Sequence, residues 1–133
     1  MELMTKAPDF KAIMDEMFRV EGYAYKKVPG DKGGYTFCGI AQVSNPSWEG
    51  WEIIEKHAQS SNVRDWKDFP VLEKMTREYY EKNYWRPAGC DRVMSHAVAT
   101  ILFDISVNSG PRTAVKYLQR VLNYFNWNNK GGV

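Results

Sequence analysis

Residues 21–40 read EGYAYKKVPGDKGGYTFCGI, and this stretch decides how the chain folds. Aromatic residues recur at every second position on both sides of the central PGDKGG run, which is the period of a β-strand. The central run is rich in residues that favour turns. The stretch therefore predicts a β-hairpin, and its first residue, Glu21, closes the helix that precedes it.

Apolar residues recur every three to four positions over most of the remaining chain, which predicts helices. The predicted helices are a first from Asp9 as N-cap to Gly22, a second at about 48–58, a third from Pro70 to about Tyr84, a fourth capped by Asp91, and a fifth that follows Gly110-Pro111. A wide apolar stripe that includes Met94 and Ile101 predicts a well-buried fourth helix. The fifth helix carries a stripe from Ala114 to Phe125, and residues 126–133 are predicted to fray.

The expected fold class is mainly α, of the α+β type, with one small β-hairpin. A length of 133 residues suggests one domain, with two small lobes as the alternative. The breaker at residues 85–90, WRPAGC, divides the chain into predicted lobes 1–88 and 89–133.

Composition excludes several classes of function. The net charge of +2 is too small for a typical nucleic-acid-binding domain, and the basic residues are dispersed. Cys38 and Cys90 cannot make a disulfide framework, and His57 and His96 are lone histidines without zinc-site spacing, so no metal or cofactor is implied. Aromatic residues make up 14% of the chain, which favours a core of large rings over a carbohydrate cleft.

The start of the sequence predicts how the chain is targeted. Met1-Glu2-Leu3-Met4 lacks the basic and apolar regions of a signal peptide, and no stretch is apolar enough to span a membrane. The expectation is a protein made in the cytoplasm, which reaches an external substrate by holin-type release or dedicated export.

Three residues in the opening stretch suggest chemistry. Glu21 is followed by Asp31 and Thr36, ten and fifteen positions later. A carboxyl at a helix end opposite a second carboxyl is a common arrangement for cleaving a glycosidic bond, where one group donates a proton while the other stays ionised. The negative end of the helix dipole and burial both raise the pKa of a carboxyl, which suits Glu21 to the role of proton donor. Asp31 would stabilise positive charge or orient a water molecule that Thr36 binds.

Each of these residues also has a plain structural interpretation. Glu21 is then a solvated carboxylate, Asp31 a turn former and Thr36 a strand residue. Asp104 and Asn108 lie four apart on one helix face, where Asp104 is either a hydrogen-bonded core acid or a substrate contact. Asn108 is either a helix end or an amide that binds a sugar N-acetyl group.

Several motifs together resemble glycoside hydrolase family 108, a family of N-acetylmuramidases and phage endolysins. The matching residues are Glu21-Gly22-Tyr23, Asp31-Lys32-Gly33-Gly34-x-Thr36-x-x-Gly39-Ile40, Tyr84-Trp85-x-Pro87-Ala88-x-Cys90-Asp91, Phe103-Asp104-x-x-Val107-Asn108-Ser109-Gly110-Pro111, Ala114 and Leu118-Gln119. The Glu, Asp and Thr also resemble the trio of phage-type lysozymes, with the Asp offset by about one residue. The chain departs from family 108 at Tyr23, where a second glycine is common, and it stops early in the peptidoglycan-binding module that often follows.

The resemblance implies a lysozyme-like hydrolase whose hairpin lines the active-site cleft. Its substrate would be the β-1,4 bond between N-acetylmuramic acid and N-acetylglucosamine in peptidoglycan. Glu21 would be the general acid, Asp31 and Thr36 would assist, and Tyr35, Asn108 and Asp104 would contact the glycan. The expected state is a monomer that needs no cofactor and binds no nucleic acid. The alternatives are a lytic transglycosylase and a non-catalytic peptidoglycan-binding or secretion accessory protein.

Overall fold

The computed structural model describes residues 6–21, 25–27, 34–58 and 70–129, and the side chains of 6–20, 34–57 and 70–126. In chain order the elements are α1 (Phe10–Glu21), β1 (Tyr25–Lys27), β2 (Tyr35–Phe37), β3 (Ile40–Ala41), α2 (Gly50–Ala58), α3 (Pro70–Tyr80), a π-helical segment (Glu81–Trp85), α4 (His96–Ser109) and α5 (Pro111–Asn129). Helices dominate, and the strands form one small antiparallel sheet in the order β1-β2-β3. The prediction of a mainly α, α+β fold is therefore confirmed.

The opening stretch forms the predicted hairpin. Strands β1 and β2 pair antiparallel, with Tyr25 opposite Phe37 and Lys27 opposite Tyr35. The turn residues between these strands, 28–33, lie outside the described residues. The period-two pattern of aromatic residues identified the pairing because it puts alternate side chains on the same face of the sheet.

A second, tighter hairpin joins β2 to β3, and the sequence pattern did not predict it. Phe37 pairs with Ile40, so the turn has two residues, Cys38 and Gly39. Both have positive φ, 48° and 79°, as a type I′ turn requires. Cysteine seldom adopts this conformation, so it gives no turn signal in the sequence.

The third predicted helix changes its hydrogen bonding at Tyr80. From Glu81 to Trp85 the backbone is π-helical, and the N–H of Arg86 donates to the carbonyl of Glu81 at 2.9 Å. Pro87 has no N–H to donate, so a regular α-helix cannot continue through this point without losing a bond. The hydroxyl of Ser106 on α4 donates to the Tyr84 carbonyl at 2.9 Å and supports the irregular turn.

The prediction that Asp91 caps the fourth helix is wrong. Residues 86–94 form turns and bends, and α4 begins at His96. Ser95 is the N-cap: its backbone is extended and its hydroxyl accepts from the N–H of Val98 at 3.3 Å. A cap must directly precede the first helical turn, and Asp91 lies too early in the chain to fill that position.

The buried face of α4 also differs from the prediction. Met94 precedes the helix and is 90% exposed, and Ile101 is 62% exposed. The buried positions are Ala99, Leu102, Phe103 and Ser106. Because apolar residues occur on nearly every side of this helix, their period does not specify which side meets the core.

The last helix is longer and more exposed than its sequence suggests. Its backbone stays helical to Asn129, so the predicted frayed tail at 126–133 is wrong for its first residues. Of the predicted apolar stripe, Ala114 is buried, while Val121, Leu122 and Phe125 are each more than half exposed. Within the part of the chain that the structure describes, no helix has the length and apolar character needed to cross a bilayer.

Neighbouring positions group into two compact units. The first comprises residues 11–79, and the second comprises residues 1–10 together with 80–133. This grouping does not test whether a segment of the chain folds independently. The predicted lobes 1–88 and 89–133 therefore stay a prediction.

The second unit has an aromatic core. The ring of Phe103 lies 5.7 Å from the ring of Trp85, 6.1 Å from that of Phe10 and 6.4 Å from that of Tyr80, and each contact is edge-to-face. The backbone N–H of His96 donates to the Lys6 carbonyl at 2.8 Å, which ties the segment before α1 to the start of α4. The aromatic composition thus serves the core here, as the sequence favoured.

Candidate active site

Glu21 is the last residue of α1, and the packing of that helix determines where the residue lies. Met14 and Phe18 are fully buried on its inner face. On its outer edge, the guanidinium of Arg77 from α3 donates to Asp15 and lies 5.1 Å from the Phe18 ring centre. This arrangement holds α1 against α3 within the first unit. The side chain of Glu21 lies outside the described side chains.

Thr36 occupies the middle of the sheet. It lies on the central strand β2, opposite Lys26 of β1 and Ala41 of β3. Its side chain is half-buried, and its hydroxyl can both donate and accept a hydrogen bond. Tyr35 is 40% exposed and, because side chains alternate along a strand, points to the opposite face of the sheet from Thr36.

Asn45 connects the sheet to the helices around it. Its side-chain amide donates to the Ala41 carbonyl at 3.0 Å and accepts from the Tyr79 hydroxyl at 2.8 Å. Its backbone carbonyl accepts from the indole N–H of Trp51 at 2.7 Å. One residue thus ties the end of β3 to both α2 and α3, and so positions the strand that carries Thr36. Sequence reasoning missed Asn45 because its contact with Tyr79 spans 34 residues of the chain.

The ring of Trp48 packs against the same region of the sheet. It stacks on Phe37 at 6.1 Å and meets Trp51 edge-to-face at 5.1 Å and Tyr79 at 6.1 Å. Because Phe37 is adjacent to Thr36 on β2, this packing restrains the central strand. Rigid support of this kind is what a site needs to hold a reacting group in one geometry.

The chain connectivity limits how far Glu21 can lie from the sheet. Three residues separate Glu21 from Tyr25, the first residue of β1, so their Cα atoms are at most about 15 Å apart. Tyr25 pairs with Phe37, the neighbour of Thr36. The helix end and the central strand therefore belong to one local structure. Asp31, the second predicted carboxylate, lies outside the described residues.

Asn108 and Asp104 form a pair at the end of α4, in the second unit. The Asn108 amide donates to the Asp104 carbonyl at 2.8 Å and to its carboxylate at 3.2 Å. Both side chains are exposed, so the interpretation of Asp104 as a core acid is wrong. The two bonds set the orientation of the Asn108 amide, and they leave its oxygen as the atom available to accept from a ligand.

Comparison with known proteins agrees with this architecture. Residues 14–110 match the family model for glycosyl hydrolase 108, which is well over half of the chain. The chain belongs to the glycosyl hydrolase 108 family. The resemblance drawn from the sequence motifs is therefore confirmed.

One solved structure is similar to this family 108 chain: "Structure of Brucella abortus SagA". The sequences are 28% identical, the TM-score is 0.57, and the similarity covers 84% of this chain. The chain spans 57% of the SagA chain's length. Among curated proteins, none is similar enough to count as a match.

The range that matches family 108 contains every predicted site residue. These are Glu21, Asp31, Tyr35, Thr36, Asp104 and Asn108. Glu21, Tyr35 and Thr36 are in the first unit, whereas Asp104 and Asn108 are in the second. The roles assigned to these residues stay predictions.

A thiol is an unsuitable nucleophile at Cys90. Its side chain is fully buried, and both cysteines remain thiols. Burial, together with the negative charge of Asp91, raises the pKa of the Cys90 thiol to about 12. The reactive thiolate is then on the order of 10⁻⁴ of the population at pH 8.

We expect Cys90 to resist alkylation in the native protein for this reason. The measurement is mass spectrometry of peptides after treatment with iodoacetamide at pH 8, with a sample in denaturant as the control that labels fully. Substantial labelling of Cys90 in the native sample within an hour would contradict the assigned burial.

Proposed function

We propose that this chain is a peptidoglycan hydrolase that cleaves the β-1,4 bond between N-acetylmuramic acid and N-acetylglucosamine, with Glu21 as the general acid. One observation carries the proposal: in a family 108 chain, Glu21 ends α1, and only three residues separate it from the sheet whose central strand holds Thr36. A proton donor next to a rigid strand with a hydroxyl is an arrangement suited to glycoside hydrolysis.

Glu21 lies in the last turn of α1. The last turn of an α-helix carries partial negative charge, which disfavours a carboxylate there. A carboxyl that keeps its proton can deliver it to the leaving oxygen as the glycosidic bond breaks. In this proposal Asp31 stabilises positive charge on the sugar or orients water, and Thr36 binds that water.

The remaining assigned residues bind the glycan. The oxygen of the Asn108 amide accepts from an N-acetyl N–H, and Asp104 acts by orienting that amide as well as by contact. Tyr35 offers an exposed ring, on which the C–H face of a sugar can pack. In this proposal the protein acts as a monomer.

Product analysis tests the proposal. Purified insoluble peptidoglycan is incubated with the protein, turbidity is followed, and the soluble fragments are reduced with borohydride and analysed by mass spectrometry. We expect clearing and fragments that end in reduced muramic acid. Reduced glucosamine ends would contradict the assigned bond.

Two other outcomes correspond to the alternative functions. Fragments with 1,6-anhydro ends, which borohydride does not reduce and which weigh one water less than the unreduced hydrolysis product, would identify a lytic transglycosylase. Binding to insoluble peptidoglycan with no released fragment would identify a non-catalytic binding protein. Either result would overturn the hydrolase assignment.

A further inference from the structure

A groove in the second unit lies beside the start of α5. Its volume is about 460 Å³, which is within the range of ligand-binding pockets. The lining residues are Pro87, Pro111, Arg112, Val115, Lys116 and Gln119. The walls therefore combine apolar surface with two cations and an amide.

The groove belongs to a part of the chain outside the family match. Apart from Pro87, its lining residues come from α5, which begins just after the matched range ends at residue 110. None of its lining residues is among the predicted hydrolytic residues. The groove is therefore distinct from the assigned catalytic group, although Pro87, Pro111 and Gln119 belong to the motifs that resemble family 108.

The charged residues that line the groove, Arg112 and Lys116, are both cations. Arg112, Lys116 and Arg120 follow one another at four-residue spacing, which places them along one side of α5. From residue 105 to residue 133 the sequence contains no Asp or Glu. The positive end of the α5 dipole, at Pro111, adds to this potential.

Several cations in the described part of the protein are paired with carboxylates, whereas the cations of α5 are not. Lys11, Arg19, Lys74, Arg77 and Arg86 each form a salt bridge with a carboxylate. Among the described side chains, Arg112, Lys116 and Arg120 form none. Their positive charge is therefore not balanced by any described carboxylate, and Arg112 and Lys116 present that charge at the groove.

We propose that this groove binds an acidic peptide, namely the carboxylate-bearing peptide stems of peptidoglycan, and this rests on the proposed function. Arg112 and Lys116 pair with the carboxylates of the stem, where charge-assisted hydrogen bonds are strong. The Gln119 amide bonds the peptide groups, and the walls formed by Pro87 and Val115 contact small apolar side chains. The groove thereby holds the peptide part of the polymer while hydrolysis acts on its glycan part.

Direct binding of soluble stems tests the inference. Peptide stems released from peptidoglycan by an amidase are titrated into the full chain, and the Kd is measured by calorimetry. We expect the double variant Arg112→Glu/Lys116→Glu to bind at least about tenfold more weakly, because two charge-assisted hydrogen bonds are lost. Stems whose carboxylates have been converted to amides should bind the wild type as weakly as unmodified stems bind the double variant.

Arg120→Glu is the matched control for Arg112→Glu. It makes the same change of charge on the same helix face, but Arg120 does not line the groove and lies over the Tyr117 ring instead, at 5.9 Å. We expect it to change the Kd by less than about threefold, since an exposed charge outside the groove lining is screened by salt. Equal losses in Arg112→Glu and Arg120→Glu, or no binding by the wild type, would overturn the groove assignment.

The same titration separates this inference from the proposed hydrolysis. The stems contain no glycosidic bond, so Glu21→Gln should bind them as the wild type does. Binding of stems without any glycan cleavage would leave the groove assigned and reject the hydrolase. Cleavage of glycan without stem binding would reject the groove assignment and leave the hydrolase proposal in place.

Discussion

Replacing Glu21 with glutamine is expected to lower the rate of peptidoglycan cleavage by about 10²–10⁴-fold, the usual contribution of general acid catalysis. Glutamine has the shape of glutamate but has no acidic proton to give to the leaving oxygen. The residue ends α1, whose inner face is secured by Met14 and Phe18. The fold should therefore persist, and the loss should appear in the rate of clearing of a peptidoglycan suspension.

Glu16→Gln provides the control for this prediction. It makes the same chemical change on the same helix, at an exposed position where the carboxylate pairs with Arg19 at 2.6 Å. An exposed pair of this kind contributes little to stability, so both activity and unfolding should stay close to wild type. Retention of more than about a tenth of the wild-type rate in Glu21→Gln would remove Glu21 from the role of general acid.

Replacing Phe103 with alanine is expected to lower the free energy of unfolding by about 3–5 kcal/mol, as for other buried phenylalanines. Phe103 is 3% exposed and meets three aromatic rings edge-to-face, those of Phe10, Tyr80 and Trp85. Alanine would leave a cavity and remove these contacts, each of which adds about 0.5–1.5 kcal/mol to simple burial. Urea denaturation followed by circular dichroism measures the change.

Ile101→Ala tests whether the effect depends on the buried face of α4. Ile101 lies two residues before Phe103 on the same helix and is 62% exposed. Its replacement should change the free energy of unfolding by no more than about 0.5 kcal/mol, the usual range for surface positions. A cost at Ile101 equal to that at Phe103 would mean that the buried face of α4 has been assigned to the wrong side.

The sequence predicted helix starts and the first hairpin correctly where the residues that define them lie next to each other in the chain. Asp9 precedes α1, Pro70 begins α3 and Pro111 begins α5, as their positions predicted. Proline at a first helical position and a polar residue just before a helix act on the neighbouring backbone alone. Period-two aromatic residues identified the pairing of β1 with β2 for the same reason, because the side-chain pattern and the strand geometry share one period.

The candidate site was accessible only in part. Glu21, Asp31 and Thr36 were singled out by residue type and spacing, and family membership supports the motif that contains them. The hydrogen bond from Tyr79 to Asn45 was not, because a contact across 34 residues leaves no periodic trace in the chain. The orientation of the Asn108 amide by Asp104 was missed, although their four-residue spacing was noted.

Local order in this protein follows from side chains that act on their own backbone: caps, prolines, turn residues and strand periodicity define most element ends. Which of several equally apolar helix faces becomes buried does not follow from local sequence, because it depends on side chains from other parts of the chain. On α4 the rings of Phe10, Tyr80 and Trp85 bury Phe103 and leave Ile101 in solvent. The π-helical segment and the Cys38-Gly39 turn are of the same kind, because each is an unusual backbone geometry that packing around it has to stabilise.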